Sequence, residues 1–177
     1  MIERLIPNKQ RNNSLFKLNI MAIAVEQKAP DFSLYDSDKK KVSLEDFKGQ
    51  NVLILFFPLA FTSVCTAELC GIRDNIAIYN NSNAQVLGIS VDSLYVLNKF
   101  KIEQQLNFTL LSDFNKEASR AYDVLYEIFP SYEMRGVSKR AAFVLNKDGI
   151  IKYAEECAKP YELPDFSAIQ NILTKLN

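Results

Sequence analysis

The order of apolar and polar residues predicts a hairpin followed by a buried strand. Residues 31–35 alternate polar and apolar side chains, a polar turn follows at 36–39, and residues 42–44 can pair back on the first segment. Residues 51–57 are almost all apolar and end at Pro58, a pattern typical of a strand buried on both faces. We expect this strand to lie at the centre of a sheet.

From Thr62 onward, the apolar residues follow the period of an α-helix. Apolar side chains recur there at spacings of three and four, which places them on one face of a helix. These residues are Leu69, Ile72, Ile76 and Tyr79. The predicted helix carries Cys65 in its first turn. A second buried strand follows at 85–92, so the two strands and the helix between them predict a βαβ unit.

The rest of the chain continues this alternation. We predict a helix around 94–104, a strand at 109–111, a helix at 115–122, strands at 140–145 and 150–154 joined by a turn containing Asp148-Gly149, and a last helix from Pro164-Asp165. Alternating strands and helices that close on an antiparallel hairpin predict an α/β fold. Its central mixed β-sheet is flanked by α-helices and carries an N-terminal β-hairpin extension.

Residues 1–22 stand apart from this pattern. The first 20 residues hold four basic side chains against one acid, a net charge of +3, and lack the long apolar core of a secretory signal. We predict a disordered extension at 1–22 and one globular domain at 23–177. A start codon upstream of the true start, or an organelle-targeting peptide, would each explain the extension.

The amino-acid composition excludes several classes of function. The chain has 177 residues, 48% of them hydrophobic, and 21 basic against 21 acidic side chains, so no overall charge attracts nucleic acid or an anionic membrane. The longest apolar run is far shorter than the roughly 20 residues of a membrane span. Neither a nucleic acid nor a membrane is therefore an expected partner.

The absence of histidine excludes Ser-His-Asp and Cys-His catalysis and every histidine-ligated metal site. We expect no metal and no cofactor. Three cysteines without paired metal-type spacing fit a reducing compartment better than a disulfide framework. The cytoplasm is the expected location, with organelle targeting by residues 1–20 left open.

The segment from Pro58 to Cys65 joins the buried strand to the helix and suits a reactive thiol. Thr62 or Ser63 can cap the helix, and the unpaired N–H groups and positive dipole end of its first turn favour a thiolate at Cys65. The thiolate is the reactive form of cysteine. Pro58 has no N–H group, so it can screen the sulfur without offering a competing proton.

These residues fill the motif Pro-x-x-x-Thr/Ser-x-x-Cys and resemble the peroxiredoxins. The resemblance runs from about Ala29 to the C-terminus and includes 29–32, 86–93, 111–113 and 136–140. It implies a thioredoxin-like fold and a thiol-dependent peroxidase that reduces hydrogen peroxide and organic hydroperoxides. Features of the alkyl hydroperoxide reductase E type and of the bacterioferritin-comigratory or Q type are both present, so the subfamily stays open.

The resemblance also assigns roles to individual residues. Cys65 is the peroxidatic cysteine, which becomes a sulfenic acid when it reduces the peroxide. Arg140 matches the family's active-site arginine, which keeps the thiolate anionic and, with Pro58 and Thr62, binds the substrate. Glu68, one helical turn after Cys65, can orient an arginine through a charge-assisted hydrogen bond.

Cys70 has the spacing of the resolving cysteine in Q-type peroxiredoxins, which implies a Cys65–Cys70 disulfide. On an intact helix, the two Cα atoms would lie about 8.7 Å apart, whereas disulfides rarely tolerate more than about 7 Å. The disulfide therefore requires the first turns of the helix to unwind, and a one-cysteine mechanism is the alternative. Cys157 follows two acidic residues, Glu155 and Glu156, and we interpret it as structural.

By the same resemblance, the partners are a hydroperoxide and a reductant: thioredoxin, glutaredoxin or a low-molecular-weight thiol. A homodimer is expected because the family commonly forms one. The alternative function is that of a redox sensor or holdase, in which oxidation of Cys65 acts as a switch. Disulfide transfer is disfavoured because the sequence has no Cys-x-x-Cys pair.

Overall fold

The computed structural model describes residues 23–177; the predicted disordered extension at 1–22 lies outside them. The strands are β1 (Ser33–Asp36), β2 (Lys41–Ser43), β3 (Asn51–Phe56), β4 (Ala84–Ser90), β5 (Thr109–Ser112), β6 (Ala141–Leu145) and β7 (Ile151–Glu156). The helices are α1 (Ser63–Asp74), α2 (Ile76–Asn81), α3 (Leu94–Glu103), α4 (Glu117–Ala121) and α5 (Phe166–Lys175), with a 3-10 helix at Leu44–Phe47. Among these helices, none is long and apolar enough to cross a bilayer.

The seven strands form one mixed sheet in the order β2-β1-β5-β4-β3-β6-β7. Strands β3, β4 and β5 are parallel neighbours, while the two outer pairs, β1–β2 and β6–β7, are antiparallel hairpins. The predicted α/β fold, its N-terminal hairpin and the βαβ unit are thus confirmed. All six residues of β3 are buried as predicted, but β4 is the middle strand, because β5 and the N-terminal hairpin add three strands on its far side.

The segment predicted as one helix from Thr62 to Tyr79 forms two helices, because the helix is interrupted at Asn75. Asn75 leaves the helical conformation at φ −111° and ψ 17°. Its side-chain amide donates to the Gly71 carbonyl at 2.9 Å, which satisfies an acceptor that the interrupted helix leaves open. The predicted apolar face survives this break, since Tyr79 and Ile72 still pack in the same core cluster.

Two apolar cores lie on the two faces of the sheet. Leu53, Leu55 and Phe57 point into the first core, and Ile54 and Phe56 point into the second. This alternation follows from the two-residue period of a strand. The first core is covered by α1, α2, α3 and α5, so the face of α1 that carries the Cys65 side chain packs on this side of the sheet.

An aspartate fixes the loop between β3 and α1. The carboxylate of Asp92 accepts hydrogen bonds from the Ala60 N–H at 2.7 Å and from the Ser90 hydroxyl at 2.8 Å, and its backbone carbonyl accepts one from the Ser112 hydroxyl at 2.7 Å. Three parallel strands end at this edge, so their polar termini meet there. The loop that leads to Cys65 is therefore tied to the ends of β4 and β5.

The C-terminal hairpin brings Arg140 to the same edge. Phe56 pairs with Ala141 across β3 and β6, so Arg140 lies beside the end of β3. The hairpin turn is the predicted one: the Gly149 N–H donates to the Asn146 carbonyl at 2.8 Å, and Gly149 has a φ of +73° that favours glycine.

Replacing Gly88 in β4 is expected to destabilise the sheet. A Cβ atom in Gly88→Ala would lie 2.7 Å from Leu110 Cδ2 on the neighbouring strand, and this leucine is fully buried. Overpacking of this kind lowers the free energy of unfolding by about 1–3 kcal/mol. Urea denaturation followed by circular dichroism measures the change.

Gly71→Ala is the matched control for this substitution. Gly71 lies on the exposed face of α1 and has no neighbour within 4 Å of a new Cβ atom. Alanine there should stabilise the protein by about 0.5–1 kcal/mol through its higher helix propensity. Equal effects of the two substitutions would contradict the packing described for β4.

Candidate active site

The N-terminus of α1 forms the floor of the site. Thr62 occupies the N-cap position, but its hydroxyl donates to the Leu59 carbonyl at 2.9 Å and so closes the preceding loop. The expectation that Thr62 or Ser63 caps the helix with its side chain is therefore wrong, because no described side chain accepts from these N–H groups. The first helical hydrogen bond runs from the Thr66 N–H to the Thr62 carbonyl at 2.9 Å, so earlier N–H groups remain available to a ligand.

Cys65 is the third residue of α1, and its side chain is buried at 1% exposure. Its sulfur accepts a hydrogen bond from Arg140 Nη2 at 3.3 Å. A guanidinium and the positive end of a helix therefore lie beside the same sulfur.

Arg140 is held in place by three hydrogen bonds to two partners. Its Nη1 donates to a carboxylate oxygen of Glu68, and its Nε and Nη2 donate to the Pro160 carbonyl at 3.2 and 2.9 Å. The side chains of Arg140 and Glu68 are almost completely buried, at 1% and 0% exposure. The rigid fork of the guanidinium is thereby fixed in the orientation that presents Nη2 to Cys65.

The pKa values of both Glu68 and Arg140 are raised above their ordinary values. Burial raises the pKa of Glu68 from 4.5 to about 7, although the charge and hydrogen bond of Arg140 oppose the shift. Among residues 23–177, no donor reaches the second carboxylate oxygen, Oε1. Burial alone would lower the pKa of Arg140, but Glu68 and Cys65 together raise it above its ordinary value. The arginine therefore stays charged beside the sulfur.

A cavity of about 220 Å³ opens above Cys65. The structure brings four of the predicted site residues together in its wall: Pro58, Thr62, Cys65 and Arg140. Glu68 lies behind Arg140. The wall also contains residues that the sequence did not single out as site residues: Leu59, Val64, Phe129, Tyr132, Met134, Pro160 and Tyr161. Apart from Arg140, the wall residues between 129 and 161 are far from Cys65 in sequence, and no local pattern marks them as part of the site.

The other two cysteines differ in position and in reactivity. Cys70 lies on α1 and donates a weak hydrogen bond to Gln104 Oε1 at 3.6 Å; all three cysteines are free thiols. The Cys157 N–H donates to the Arg140 carbonyl at 2.9 Å, so Cys157 lies directly opposite Arg140. Burial, with Glu155 as the next cause, raises the pKa of the Cys157 thiol to about 12. Cys157 thus remains protonated and unreactive near neutral pH.

The sequence from 25 to 154 matches the model of the AhpC/TSA family, which covers more than half of the chain. The chain belongs to the AhpC/TSA family. This confirms the predicted resemblance to peroxiredoxins, and with it the class of enzyme, a thiol-dependent peroxidase.

Relatives of both predicted types support this assignment. The peroxiredoxin Bcp of Escherichia coli is 40% identical over 126 residues, which cover 71% of this chain and 80% of that protein. Alkyl hydroperoxide reductase E of Mycobacterium tuberculosis is 37% identical over 140 residues, 77% of this chain and 87% of that protein. A crystal structure of a Xylella fastidiosa PrxQ mutant superposes with a TM-score of 0.77 at 22% identity, covering 86% of this chain and 96% of that one. The last comparison shows the shared fold.

The pH dependence of stability is expected to change in Glu68→Gln. The folded AhpC/TSA domain holds the Glu68 proton more tightly than the unfolded chain does, because the folded-state pKa is raised from 4.5 to about 7. Raising the pH through this window therefore favours unfolding. The wild-type free energy of unfolding should fall relative to that of the variant by roughly 3 kcal/mol.

Urea denaturation of both proteins at several values between pH 4 and 8 measures this difference. The variant keeps a hydrogen-bonding amide of the same shape but has no titrating carboxyl. A difference in unfolding free energy that stays constant over this range would show that the pKa of Glu68 is the same in the folded and the unfolded state.

Proposed function

We propose that Cys65 is the cysteine with which this peroxidase reduces hydrogen peroxide and organic hydroperoxides. The observation that carries the proposal is the 3.3 Å contact between Arg140 Nη2 and the Cys65 sulfur at the base of an open cavity. A thiol without a cation partner would be mostly protonated near neutral pH. Here Arg140 and the N-terminus of α1 place positive charge beside the sulfur.

In the first step, the Cys65 thiolate attacks one oxygen of the hydroperoxide. A sulfur–oxygen bond forms and the O–O bond breaks, so Cys65 becomes a sulfenic acid and the other oxygen leaves as an alcohol or water after taking a proton. Arg140 and the free N–H groups of the first turn of α1 can stabilise charge on the oxygens as it develops. Pro58 and Thr62 form the wall that holds the substrate next to the sulfur.

In the second step, we propose that the Cys70 thiolate attacks the sulfenic sulfur of Cys65. A disulfide forms and hydroxide leaves, taking a proton to become water. Both cysteines lie on the intact α1, where five residues separate their Cα atoms by about 8.7 Å. The step therefore requires the N-terminal turns of α1 to unwind. A dithiol reductant of the thioredoxin type, a glutaredoxin or a small thiol then restores both thiols.

We also propose a reducing compartment and a homodimer as the setting of this reaction. A reducing compartment keeps Cys70 and Cys157 available as thiols between cycles. Two large aromatic side chains of the cavity wall are exposed, Tyr132 at 90% and Tyr161 at 62%. Exposed apolar groups of this kind often mark a contact surface, which supports a second copy of the chain as partner.

Cys65→Ser is expected to abolish peroxidase activity, because an alcohol at this position does not ionise near neutral pH and is a far weaker nucleophile. Consumption of hydrogen peroxide and of cumene hydroperoxide in the presence of dithiothreitol measures the activity. Cys157→Ser is the matched control and should retain wild-type activity, since its thiol is buried and protonated. Activity that persists in Cys65→Ser would remove the central claim.

Oxidation by one equivalent of peroxide is expected to yield a Cys65–Cys70 disulfide with Cys157 still free. Intact mass should fall by about 2 Da relative to the reduced protein, and peptide mapping of the alkylated sample locates the bond. A stable sulfenic or sulfinic acid at Cys65 with Cys70 free would instead establish a one-cysteine mechanism.

A further inference from the structure

The cavity above Cys65 is larger than hydrogen peroxide requires. Its volume is about 220 Å³, whereas a water molecule occupies about 30 Å³ of the liquid. Hydrogen peroxide therefore needs roughly the space of two water molecules. The remaining space can hold the organic group of a larger hydroperoxide.

The chemistry of the cavity wall suits an apolar group. Among the described residues that line the cavity, only Arg140 carries a formal charge. Each of the three nitrogens of its guanidinium already donates to a protein atom. Much of the remaining wall consists of apolar side chains, among them Leu59, Val64, Phe129 and Met134. An organic group gains free energy when it leaves water for such a surface, whereas hydrogen peroxide has no apolar surface to bury.

One side of the cavity is formed by a hairpin-shaped loop, residues 124–139, which we call the arm. Backbone N–H groups donate to carbonyls across it at successive positions: from Lys139 to Val124 at 2.8 Å, from Tyr126 to Val137 at 2.9 Å, from Gly136 to Tyr126 at 3.1 Å and from Phe129 to Met134 at 2.7 Å. Its tip, residues 130–133, contributes Ser131 and Tyr132 to the cavity wall. Because Arg140 follows the arm directly, the arm and the guanidinium are placed together.

Two neighbouring residues at the tip of the arm have a strained backbone. Tyr132 and Glu133 have φ angles of 62° and 53°, in the left-handed region that costs free energy for residues other than glycine. Such conformations persist only where the surrounding structure holds them, and they cluster at sites that bind ligands. Here the strained tip brings Tyr132 into the cavity wall and leaves 90% of this residue exposed. The ring is thus free to be covered by a bound molecule.

Phe129 forms a more rigid part of the same wall. Its ring packs edge-on against Tyr126, with the ring centroids 5.4 Å apart and the planes at 76°. Tyr132 therefore extends an apolar surface that exists without it. Removal of the Tyr132 ring should weaken the contact with an organic group but not abolish it.

We propose that Tyr132 is a specificity-determining residue that favours apolar organic hydroperoxides over hydrogen peroxide. Its ring, together with Phe129 and Met134, contacts the organic group of the substrate. The hydroperoxide end of the same molecule lies beside Arg140 and the Cys65 sulfur. The inference rests on the proposed function, in which Cys65 reduces the hydroperoxide, and it adds the side chain that distinguishes the two classes of substrate.

The experiment compares Tyr132→Asn and Tyr132→Phe with the wild type. Asparagine tolerates the left-handed region better than most residues, so Tyr132→Asn removes the ring and keeps the backbone conformation. Tyr132→Phe keeps the ring and removes only the hydroxyl. Tyr95→Asn is the matched control, because Tyr95 is also exposed, at 69%, but lies on α3 and does not line the cavity.

Reduced protein is mixed with an excess of cumene hydroperoxide or of hydrogen peroxide in the absence of a reductant. The reaction is quenched with an alkylating agent at successive times, and peptide mapping by mass follows the loss of the Cys65 thiol. The second-order rate constant for each peroxide then depends neither on the second step nor on the reductant.

In Tyr132→Asn, we expect the rate constant for cumene hydroperoxide to fall about fivefold to tenfold, because the organic group loses its contact with the ring. The rate constant for hydrogen peroxide should stay within about twofold of the wild-type value, since this substrate has no organic group. Tyr132→Phe should keep the wild-type ratio of the two rate constants. Tyr95→Asn should leave both rate constants unchanged.

Unchanged rate constants in Tyr132→Asn would overturn the inference and leave the proposed function intact. Losses of equal size with both peroxides would also overturn it, because they indicate an effect on the fold or on the sulfur. Light scattering measures the native mass of each variant. A loss that accompanies a fall in this mass would assign Tyr132 to a contact between copies of the chain, against the inference. If neither peroxide oxidises Cys65 in the wild type, the proposed function itself fails and the role of Tyr132 fails with it.

Discussion

The buried guanidinium of Arg140 connects parts of the chain that are distant in sequence. It binds a carboxylate on α1, a carbonyl after β7 and the sulfur of Cys65, and it is itself placed by the pairing of β6 with β3. Removing a charge from water costs several kcal/mol unless partners replace the lost hydration. Glu68 and Pro160 supply these partners, so the cation can remain buried next to the Cys65 sulfur.

Much of the architecture could be predicted because it follows local periodicity. The apolar run of β3, the three-to-four spacing of α1 and the Asp-Gly turn each fix an element without reference to distant residues. The break at Asn75 was missed because it leaves the apolar face continuous, so the pattern of buried positions is the same for one helix or two. The order of the strands depends on pairings that no local pattern encodes.

The residues of the site likewise fall into two groups, those that a sequence pattern reveals and those that only the folded structure brings together. Cys65, Thr62 and Pro58 lie within eight residues and form a motif that the sequence displays, and Arg140 and Glu68 were assigned from resemblance and helical spacing. The Pro160 carbonyl and the aromatic wall at Phe129 and Tyr132 escaped prediction as parts of the site, because backbone atoms and loop positions acquire their roles only after the strands pair. The Thr62 hydroxyl was assigned the wrong partner, since a loop carbonyl competed with the helix N–H groups for it.

The separation of 75 residues between Cys65 and Arg140 has a consequence for synthesis on the ribosome. The chain grows from its N-terminus at about 5–20 residues per second, so Cys65 emerges several seconds before Arg140. During this interval, the cysteine has no guanidinium partner and the cavity lacks the wall contributed by residues 129–161. The candidate site is therefore complete only when the C-terminal hairpin has docked.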